Sequence, residues 1–332
     1  MLKTKSAGKK FKLTYNIILI AISIVLYVGF GLARTNFFSL DYLVGILKMA
    51  VEIGILALPT TALVIMGVLD FSMCTNLVLS SILSSLVATA TNPFLGVIVG
   101  LGSGLLFGCF NGFLVAVMKL PYLVTTLACQ YLYRGLAQGI TLGTSIGTNV
   151  PAHSVALFLG GSTILGVPTQ FFVYIILALI YHFLLSKTPF GRTLYAIGLN
   201  EDGAKFAGIN TVRNKFLMYA TGGIVFAIAG QVLMGRFSTM QYNSGDAYLM
   251  QVLIATILGG ADMGGGRGDI RGTTLGVLVI GILKGGMNVL LLPQTTQKIV
   301  LGLLLLIVLI SFEIANQHNR KVAMKQKRAA MA

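Results

Sequence analysis

Residues 187–215 read KTPFGRTLYAIGLNEDGAKFAGINTVRNK and form the one long polar segment of an otherwise apolar chain. They hold five of the 24 basic residues and two of the nine acidic residues. The runs on either side, Pro168–Ser186 and Phe216–Gly235, are apolar and long enough to cross a bilayer. The pattern therefore predicts a water-exposed loop between two membrane spans.

The composition of the whole chain is typical of a membrane protein. Of 332 residues, 56% are apolar and only 10% are charged, which is too little charge to cover a water-soluble globule. The 40 glycines suit helices that pack closely in a bilayer. Cys74, Cys109 and Cys129 lie in or beside apolar runs without metal-ligand spacing. We therefore expect an all-α, polytopic integral membrane protein.

The positions of the basic residues indicate a membrane orientation, and they argue against nucleic-acid binding. The net charge is +15, with five lysines before the first apolar run and five basic residues after the last. Because basic residues beside membrane spans stay in the cytoplasm, both termini are predicted to be cytoplasmic. This divides the chain into a basic segment (1–14), a membrane domain (15–313) that includes the cytoplasmic loop 187–215, and a basic tail (314–332).

Two cytoplasmic termini require an even number of crossings, and the apolar runs predict about ten. A loop without a spanning run is expected at residues 141–166. The eighth and tenth runs are short for a full crossing. The predicted spans are Tyr15–Ala33, Tyr42–Met66, Asn76–Ala90, Phe94–Met118, Leu120–Gly139, Pro168–Ser186, Phe216–Gly235, Tyr248–Ala261, Thr273–Leu292 and Ile299–Phe312.

A few charged and polar residues interrupt these runs. Lys48 and Glu52 stand four residues apart, which predicts a surface ion pair near the outer interface. Asp70 either lines a polar pathway or ends a helix at the cytoplasmic interface, and the second interpretation is favoured. Six polar residues inside or beside the spans either contact a solute or bond neighbouring helices: Ser72, Asn111, Thr125, Thr126, Gln130 and Tyr131.

The sequence has no motif for a nucleotide or for a metal. It lacks the phosphate-binding pattern GxxxxGK[ST] and the HExxH and CxxC patterns. The three histidines, His153, His182 and His318, are scattered. We therefore expect neither an enzyme nor a metal site, and any use of ATP would need another protein.

The polar loop contains a predicted short helix. Asn200 can cap it, Glu201 and Asp202 favour its positive N-terminal end, and Gly208 is placed to end it. Its small residues would let the helix enter a groove on a partner, and a solvated connector is the alternative on composition alone. These small residues are Gly203, Ala204, Ala207 and Gly208.

Two motifs carry a resemblance to a known family. Residues 188–209 follow the pattern TxxGRxxYAIGxN and then EEAAxxxGI, with Leu199 where a second glycine is common, Asp202 in place of Glu and Gly203 in place of Ala. Seven glycines match the family's GGxxxxGGxGxxxGTxxG pattern: Gly259, Gly260, Gly265, Gly266, Gly268, Gly272 and Gly276. The chain thus resembles, over about Tyr15 to Phe312, the membrane permeases of bacterial sugar-type ATP-binding-cassette importers. That group takes up ribose, galactose, xylose and autoinducer-2. The family's GGIDLSVGS stretch is kept only as Asp70 and Ser72.

The resemblance implies a permease subunit of an ATP-driven importer for a sugar or related polar solute, in the bacterial inner membrane. It implies no cofactor of its own, because a separate cytoplasmic subunit binds the ATP. The other implied partners are a second permease subunit, identical or not, an extracytoplasmic solute-binding protein and membrane lipid. The implied ATPase-coupling residues are Asn200, Glu201, Asp202, Gly203, Ala204, Ala207, Gly208 and Ile209.

A stand-alone transporter driven by an ion gradient is the alternative function. It predicts ionisable residues paired deep within the spans. Arg134 and Lys284 lie in apolar runs without an acidic residue nearby in the sequence, which counts against it.

Overall fold

The computed structural model describes residues 2–147 and 155–329, so residues 148–154 of the predicted loop lie outside the described part. The protein is helical almost throughout. The helices are α1 (Leu2–Ala33), α2 (Leu40–Ile65), α3 (Met73–Ala90), α4 (Pro93–Gly112), α5 (Tyr122–Thr141), α6 (Val155–Gly161), α7 (Thr169–Lys187), α8 (Pro189–Leu199), α9 (Glu201–Phe206), α10 (Thr211–Phe237), α11 (Tyr248–Leu258), α12 (Ile270–Val289) and α13 (Gln294–Ala329).

Short irregular elements complete the fold. A 3₁₀ turn at Thr35–Phe38 joins α1 to α2, and a π-helical turn at Phe113–Val117 extends α4. Strand β1 (Ile146–Gly147) pairs antiparallel with β4 (Thr239–Met240), so that Ile146 faces Met240. Strand β2 (Thr163–Ile164) forms a hairpin with β3 (Val167–Pro168).

Eight helices in the described part of the chain are long and apolar enough to cross a membrane: Asn16–Ala33, Leu40–Ile65, Met73–Ala90, Pro93–Val117, Thr169–Lys187, Thr211–Phe237, Ile270–Val289 and Gln294–Ser311. Each coincides with a predicted span. The two remaining predicted spans correspond to α5, which is less apolar, and α11, which has 11 residues. The all-α membrane fold is confirmed, while the number ten and the side of the termini stay predictions.

Helix α10 lies at the centre of the bundle and packs against α4, α3, α2 and α6. Its contact with α4 is made backbone to backbone. A Cβ atom added at Gly223 would lie 2.2 Å from the Gly104 carbonyl oxygen, and one at Gly108 would lie 2.4 Å from the Tyr219 carbonyl oxygen. Glycine is therefore required for this helix crossing. The spans Asn16–Ala33 of α1 and Gln294–Ser311 of α13 lie at the periphery, with only 17% and 6% of their residues buried.

The two ends of α10 define the two ends of the bundle. Helix α10 has 27 residues and is about 40 Å long, enough to span the whole bundle. It follows α8 and α9 at one end, here named the α9 end, and leads into β4 at the other, the β4 end.

Candidate functional site

The polar loop folds into α8 and α9, each begun by a local cap. The Thr188 Oγ1 accepts a hydrogen bond from the Gly191 N–H at 3.0 Å, which starts α8. The Asn200 Oδ1 accepts one from the Gly203 N–H at 2.9 Å, which starts α9 as predicted. Because such a cap joins residues three apart, the sequence alone predicts the one at Asn200.

Helix α9 ends at Phe206, two residues before the predicted Gly208. Gly208 has φ +80° and turns the chain, and the Ile209 N–H donates to the Ala204 carbonyl at 3.0 Å. Gly203, Ala207 and Gly208 are exposed as expected, but Ala204 is only 4% exposed and packs inward. The prediction that Ala204 lies on the open surface is wrong, since that side of α9 covers the bundle.

Phe206 was not singled out by its sequence position, yet it is 94% exposed. An aromatic ring between polar and small residues suits either face of a short helix. Only the packing of Ala204 against the bundle decides that Phe206 points away from it.

Two lysines, one on α10 and one on α9 itself, form ion pairs with Glu201 of α9. The Lys215 Nζ lies 2.6 Å from one Glu201 carboxylate oxygen, and the Lys205 Nζ lies 3.3 Å from the other. Partial burial raises the pKa of Glu201, but the hydrogen bonds and charges of Lys215 and Lys205 outweigh that effect. The pKa of Glu201 is therefore held below its ordinary value.

The inward side of the polar loop contacts the end of α2 and residues 259–272, called the glycine-rich segment below. The Gly266 N–H donates to the Ile65 carbonyl at 2.7 Å, and the Tyr195 hydroxyl donates to the Gly268 carbonyl at 2.9 Å. A Cβ atom at Gly198 would lie 1.9 Å from the Ile65 carbonyl oxygen. Burial, with the Asp269 charge nearby, raises the pKa of Tyr195 to about 12, so its hydroxyl stays protonated and can donate.

The seven motif glycines serve close packing and turns. A Cβ atom at Gly276 would lie 2.1 Å from the Ala255 carbonyl oxygen, so α11 and α12 cross in direct backbone contact. Gly259 and Gly272 touch each other at the same crossing. The remaining four have positive φ and shape the turn between the two helices: Gly260, Gly265, Gly266 and Gly268.

Asp70, Ser72 and Asn111 meet in the interior, beside the break between α2 and α3. One Asp70 oxygen accepts from the Ser72 N–H at 2.9 Å and from its hydroxyl at 2.7 Å. The Asn111 amide donates to the other oxygen at 3.1 Å, and the Tyr133 hydroxyl donates to the Asn111 Oδ1 at 2.8 Å. Asp70 is 2% exposed. The favoured interpretation of an interfacial helix end is therefore wrong, because α4 and α5 enclose this carboxylate.

The other pathway candidates lie along α5 and do not join that cluster. The hydroxyls of Thr125 and Thr126 donate to carbonyls of their own helix. Gln130 is half-buried and Tyr131 is mostly exposed. Thr125 borders an apolar groove of about 540 Å³, lined also by Phe110, Leu114, Leu120, Pro121, Val124, Ala128, Cys129 and Leu132.

Glu52 makes a buried ion pair with a residue far away in the sequence. It is 3% exposed, the Arg236 Nη1 lies 2.6 Å from its Oε1, and the Tyr248 hydroxyl donates to its Oε2 at 2.7 Å. The predicted surface pair with Lys48 is wrong, because this face of α2 points into the bundle. The Lys284 Nζ lies 5.1 Å from the centre of the Tyr248 ring, in the same cluster.

Arg134 also has a partner that the sequence does not reveal. Its guanidinium group contacts both carboxylate oxygens of Asp246, at 3.1 and 2.9 Å. The sequence argument against ion-driven transport, which rested on missing acidic partners, is thereby weakened. Among the residues the structure describes, no group of three or more His, Cys, Asp or Glu side chains could hold a metal ion.

A sequence profile described as "Branched-chain amino acid transport system / permease component" matches residues 42–309 of this chain. The chain belongs to this permease family. The ribose import permease RbsC of Bacillus subtilis is 33% identical to this chain. The match covers 85% of this chain and 88% of RbsC. The L-arabinose permease AraH of Escherichia coli is 32% identical over 90% of both chains.

The autoinducer 2 import permease LsrD of Yersinia enterocolitica is 30% identical over 89% of this chain and 91% of its own length. No solved structure gives a significant match. These relatives confirm the resemblance to permeases of sugar-type ATP-binding-cassette importers. The permease is thus a multi-pass inner-membrane subunit of an ATP-driven importer, as predicted. Such a subunit works with ATP-binding and solute-binding partners.

Proposed function

We propose that this permease imports a sugar or a related small polar solute, and that the exposed side of α9 receives the ATP-binding subunit. The named relatives for ribose and L-arabinose support the solute class. The permease also works with a second permease subunit and with an extracytoplasmic solute-binding protein. In this assembly the permease itself performs no chemistry, since the energy comes from ATP hydrolysis in the partner.

The observation that carries the docking assignment is the two-sided character of α9. Its docking face, defined as Asp202, Gly203, Phe206 and Ala207, is exposed, whereas Ala204 packs inward. A ring as exposed as that of Phe206 is an apolar anchor that a pocket on a partner can bury. The coupling set predicted from the sequence is kept with Phe206 added to it, except that Ala204 supports α9 from the inside and does not touch the partner.

The docking face transmits force because its support is rigid. Behind it, α8 contacts the Ile65 carbonyl at the end of α2 and the glycine-rich segment. A push on α9 therefore reaches α2 without passing through a flexible side chain. Tilting of the attached helices then opens the pathway to one side of the membrane at a time.

The pathway runs along α5 and the Asp70 cluster. Helix α5 carries Thr125, Gln130 and Tyr131 and is less apolar than the eight spanning helices, although much of its surface is exposed in the single chain. Such a helix is costly against lipid, so its exposed side faces the second permease subunit and the solute. Asp70, Ser72 and Asn111 supply the polar groups at its inner side.

The docking assignment is tested with Gly203→Arg and Phe206→Ala in the complete importer. Both variants are expected to lower ATP-dependent uptake about tenfold or more and to weaken binding of the ATPase, at unchanged abundance in the membrane. Phe94→Ala is the matched control, because Phe94 is an exposed phenylalanine at the β4 end. Normal uptake and normal ATPase binding by Phe206→Ala would contradict the assignment.

The energy source is tested by measuring uptake of a sugar panel with and without the ATPase subunit. We expect uptake only when the ATPase is present. Uptake that persists without the ATPase and stops when the proton gradient is collapsed would support the ion-driven alternative instead.

A further inference from the structure

Residues 241–247 follow β4 and enter the bundle from the β4 end. Near that end, the Ser85 hydroxyl on α3 donates to the carbonyl of Gly147, the strand partner of Thr239, at 3.5 Å. At the opposite end of α3, a Cβ atom at Gly245 would lie 2.5 Å from the Cys74 carbonyl oxygen. The part of α3 between Ser85 and Cys74 is about 16 Å long. The chain therefore descends by about this distance before α11 begins.

Helix α11 covers only the rest of the membrane. Its 11 residues are about 16 Å long, and its first residue, Tyr248, bonds to Glu52 in the middle part of α2. The predicted eighth span is thus a half-length helix. Residues 241–247, which precede it, are called the re-entrant loop below. Backbone outside a helix occurs at membrane depth only where protein covers it or where it lines a water-filled cavity.

The re-entrant loop carries polar side chains at that depth. Asp246 and Arg134 form a two-pronged ion pair, and their side chains are 43% and 33% exposed. The Arg134 guanidinium carbon lies 5.6 Å from the centre of the Tyr242 ring. Arg134 is about 18 Å along α5, far from either end of this helix. Charged groups that are open at this depth cannot face lipid, so they border a polar space.

We propose that Arg134, Asp246 and Tyr242 form a solute-contact site for a neutral polyhydroxylated molecule within the translocation pathway. The proposal rests on the proposed function, because it names the site that the imported solute touches. In the ion pair the guanidinium group uses two of its five N–H donors, and the carboxylate keeps lone pairs free. The remaining donors and acceptors match the alternating hydroxyls of a sugar, and the half-buried Tyr242 ring lies beside the guanidinium group.

The location of the loop is tested by thiol labelling. Asn243→Cys is introduced into the full-length permease after Cys74, Cys109 and Cys129 are replaced by alanine. Asn243 is exposed on the re-entrant loop and lies beside the ion pair without forming it. The matched control is Leu179→Cys, whose side chain is 63% exposed on the apolar helix α7.

A charged, membrane-impermeant thiol reagent is expected to label Asn243→Cys and to leave Leu179→Cys unlabelled in the intact membrane. Absence of labelling at position 243 would overturn the proposal, because the loop would not face water. This readout needs no transport, so it remains decisive even if no sugar proves to be the solute.

The contact itself is tested by uptake kinetics of the complete importer. Asp246→Asn and Arg134→Gln are each expected to raise the KM for the sugar about tenfold or more, with membrane abundance and ATPase binding unchanged. Asp41→Asn is the matched control, since Asp41 is exposed in the first turn of α2.

The exchange Arg134→Asp with Asp246→Arg separates a solute contact from a structural ion pair. It restores the ion pair but places the carboxylate at position 134 and the guanidinium group at position 246. The hydrogen-bond donors and acceptors then no longer match the solute, so the KM is expected to stay raised. Return of the KM to the unmodified value would overturn the proposal. If the unmodified importer takes up no sugar at all, the proposed function fails, and the labelling result still decides where the loop lies.

Discussion

At the scale of single residues, the buried charges of this permease are held by partners that are distant in the sequence. Glu52 receives Arg236 from α10 and Tyr248 from α11, so one carboxylate ties three helices together. Removing one member of a buried ion pair leaves the other charge uncompensated, which costs more than the intact pair contributes.

Glu52→Gln is therefore expected to lower the free energy of unfolding by about 3 kcal/mol, because Arg236 loses its carboxylate. The double variant Glu52→Gln with Arg236→Gln should recover a large part of that loss. Thermal unfolding of the purified protein in detergent measures both effects. Lys48→Gln is the control. If it lowered the free energy of unfolding as much as Glu52→Gln does, the result would support the Lys48–Glu52 pair predicted from the sequence.

At the scale of elements, α9 is a helix of six residues that would not form alone. The Asn200 cap satisfies its first turn, Gly208 turns the chain after its end at Phe206, and Glu201 binds Lys215 on α10. Its stability therefore depends on contacts outside its own sequence. The ion pair to α10 is one of these contacts, and protonation of Glu201 removes it.

The ion pair makes the order of α9 depend on pH, with a defined sign. The pKa of Glu201 is lower in the folded protein than its ordinary value. The contribution of the pair is complete above the ordinary pKa and is lost as the pH falls through the lowered folded value. We expect faster hydrogen exchange of the α9 amides, after correction for intrinsic rates, in the acidic range than at neutral pH.

Two variants check this assignment by the same hydrogen-exchange measurement. Glu201→Gln should remove most of the pH dependence, because the amide does not titrate. Asp202→Asn should keep it, because Asp202 contacts only the exposed Lys205. Unchanged pH dependence in Glu201→Gln would contradict the assignment.

At the scale of the whole molecule, backbone contacts connect the docking face to the Asp70 cluster. Helix α8 touches the end of α2 at Ile65, and the chain that follows Ile65 leads to Asp70 and Ser72. The glycine-rich segment fills the space between α8 and α2, because Gly265 and Gly266 touch Gly198 and Leu199 at the end of α8. If the ATP-binding subunit docks on α9 as proposed, we expect these contacts to pass its movement to the helix break beside Asp70.

Gly265→Ala is expected to disturb this connection. Gly265 has φ +86°, and a Cβ atom there would lie 2.6 Å from the Gly198 carbonyl oxygen. Backbone strain and overpacking together should cost about 2 kcal/mol or more, which lowers the Tm by roughly 4 °C or more. Uptake should fall as well, since α8 is displaced.

Gly264→Ala is the matched control, because Gly264 is exposed and would meet only the nearby Asp262 side chain. It should leave the Tm and the uptake close to those of the unmodified protein. If Gly265→Ala behaved in the same way, the backbone contact would not carry the movement.

The sequence by itself determined the features that depend on local chemistry or on composition. The apolar runs predict membrane helices because a bilayer demands long stretches without charge, and Asn200 predicts a cap because its bond reaches only to Gly203. The motifs around residues 188–209 and 259–276 indicated the family that the relatives confirm.

Only the tertiary structure decided which faces of the helices point inward. It moved Asp70 from a supposed interface into a buried cluster, turned Ala204 inward and Phe206 outward, and paired Glu52 with Arg236 and Arg134 with Asp246. The physical reason is that burial and long-range pairing arise when helices far apart in the chain dock. A charged residue in an apolar run therefore predicts that a partner exists. Which residue is the partner depends on how the helices pack.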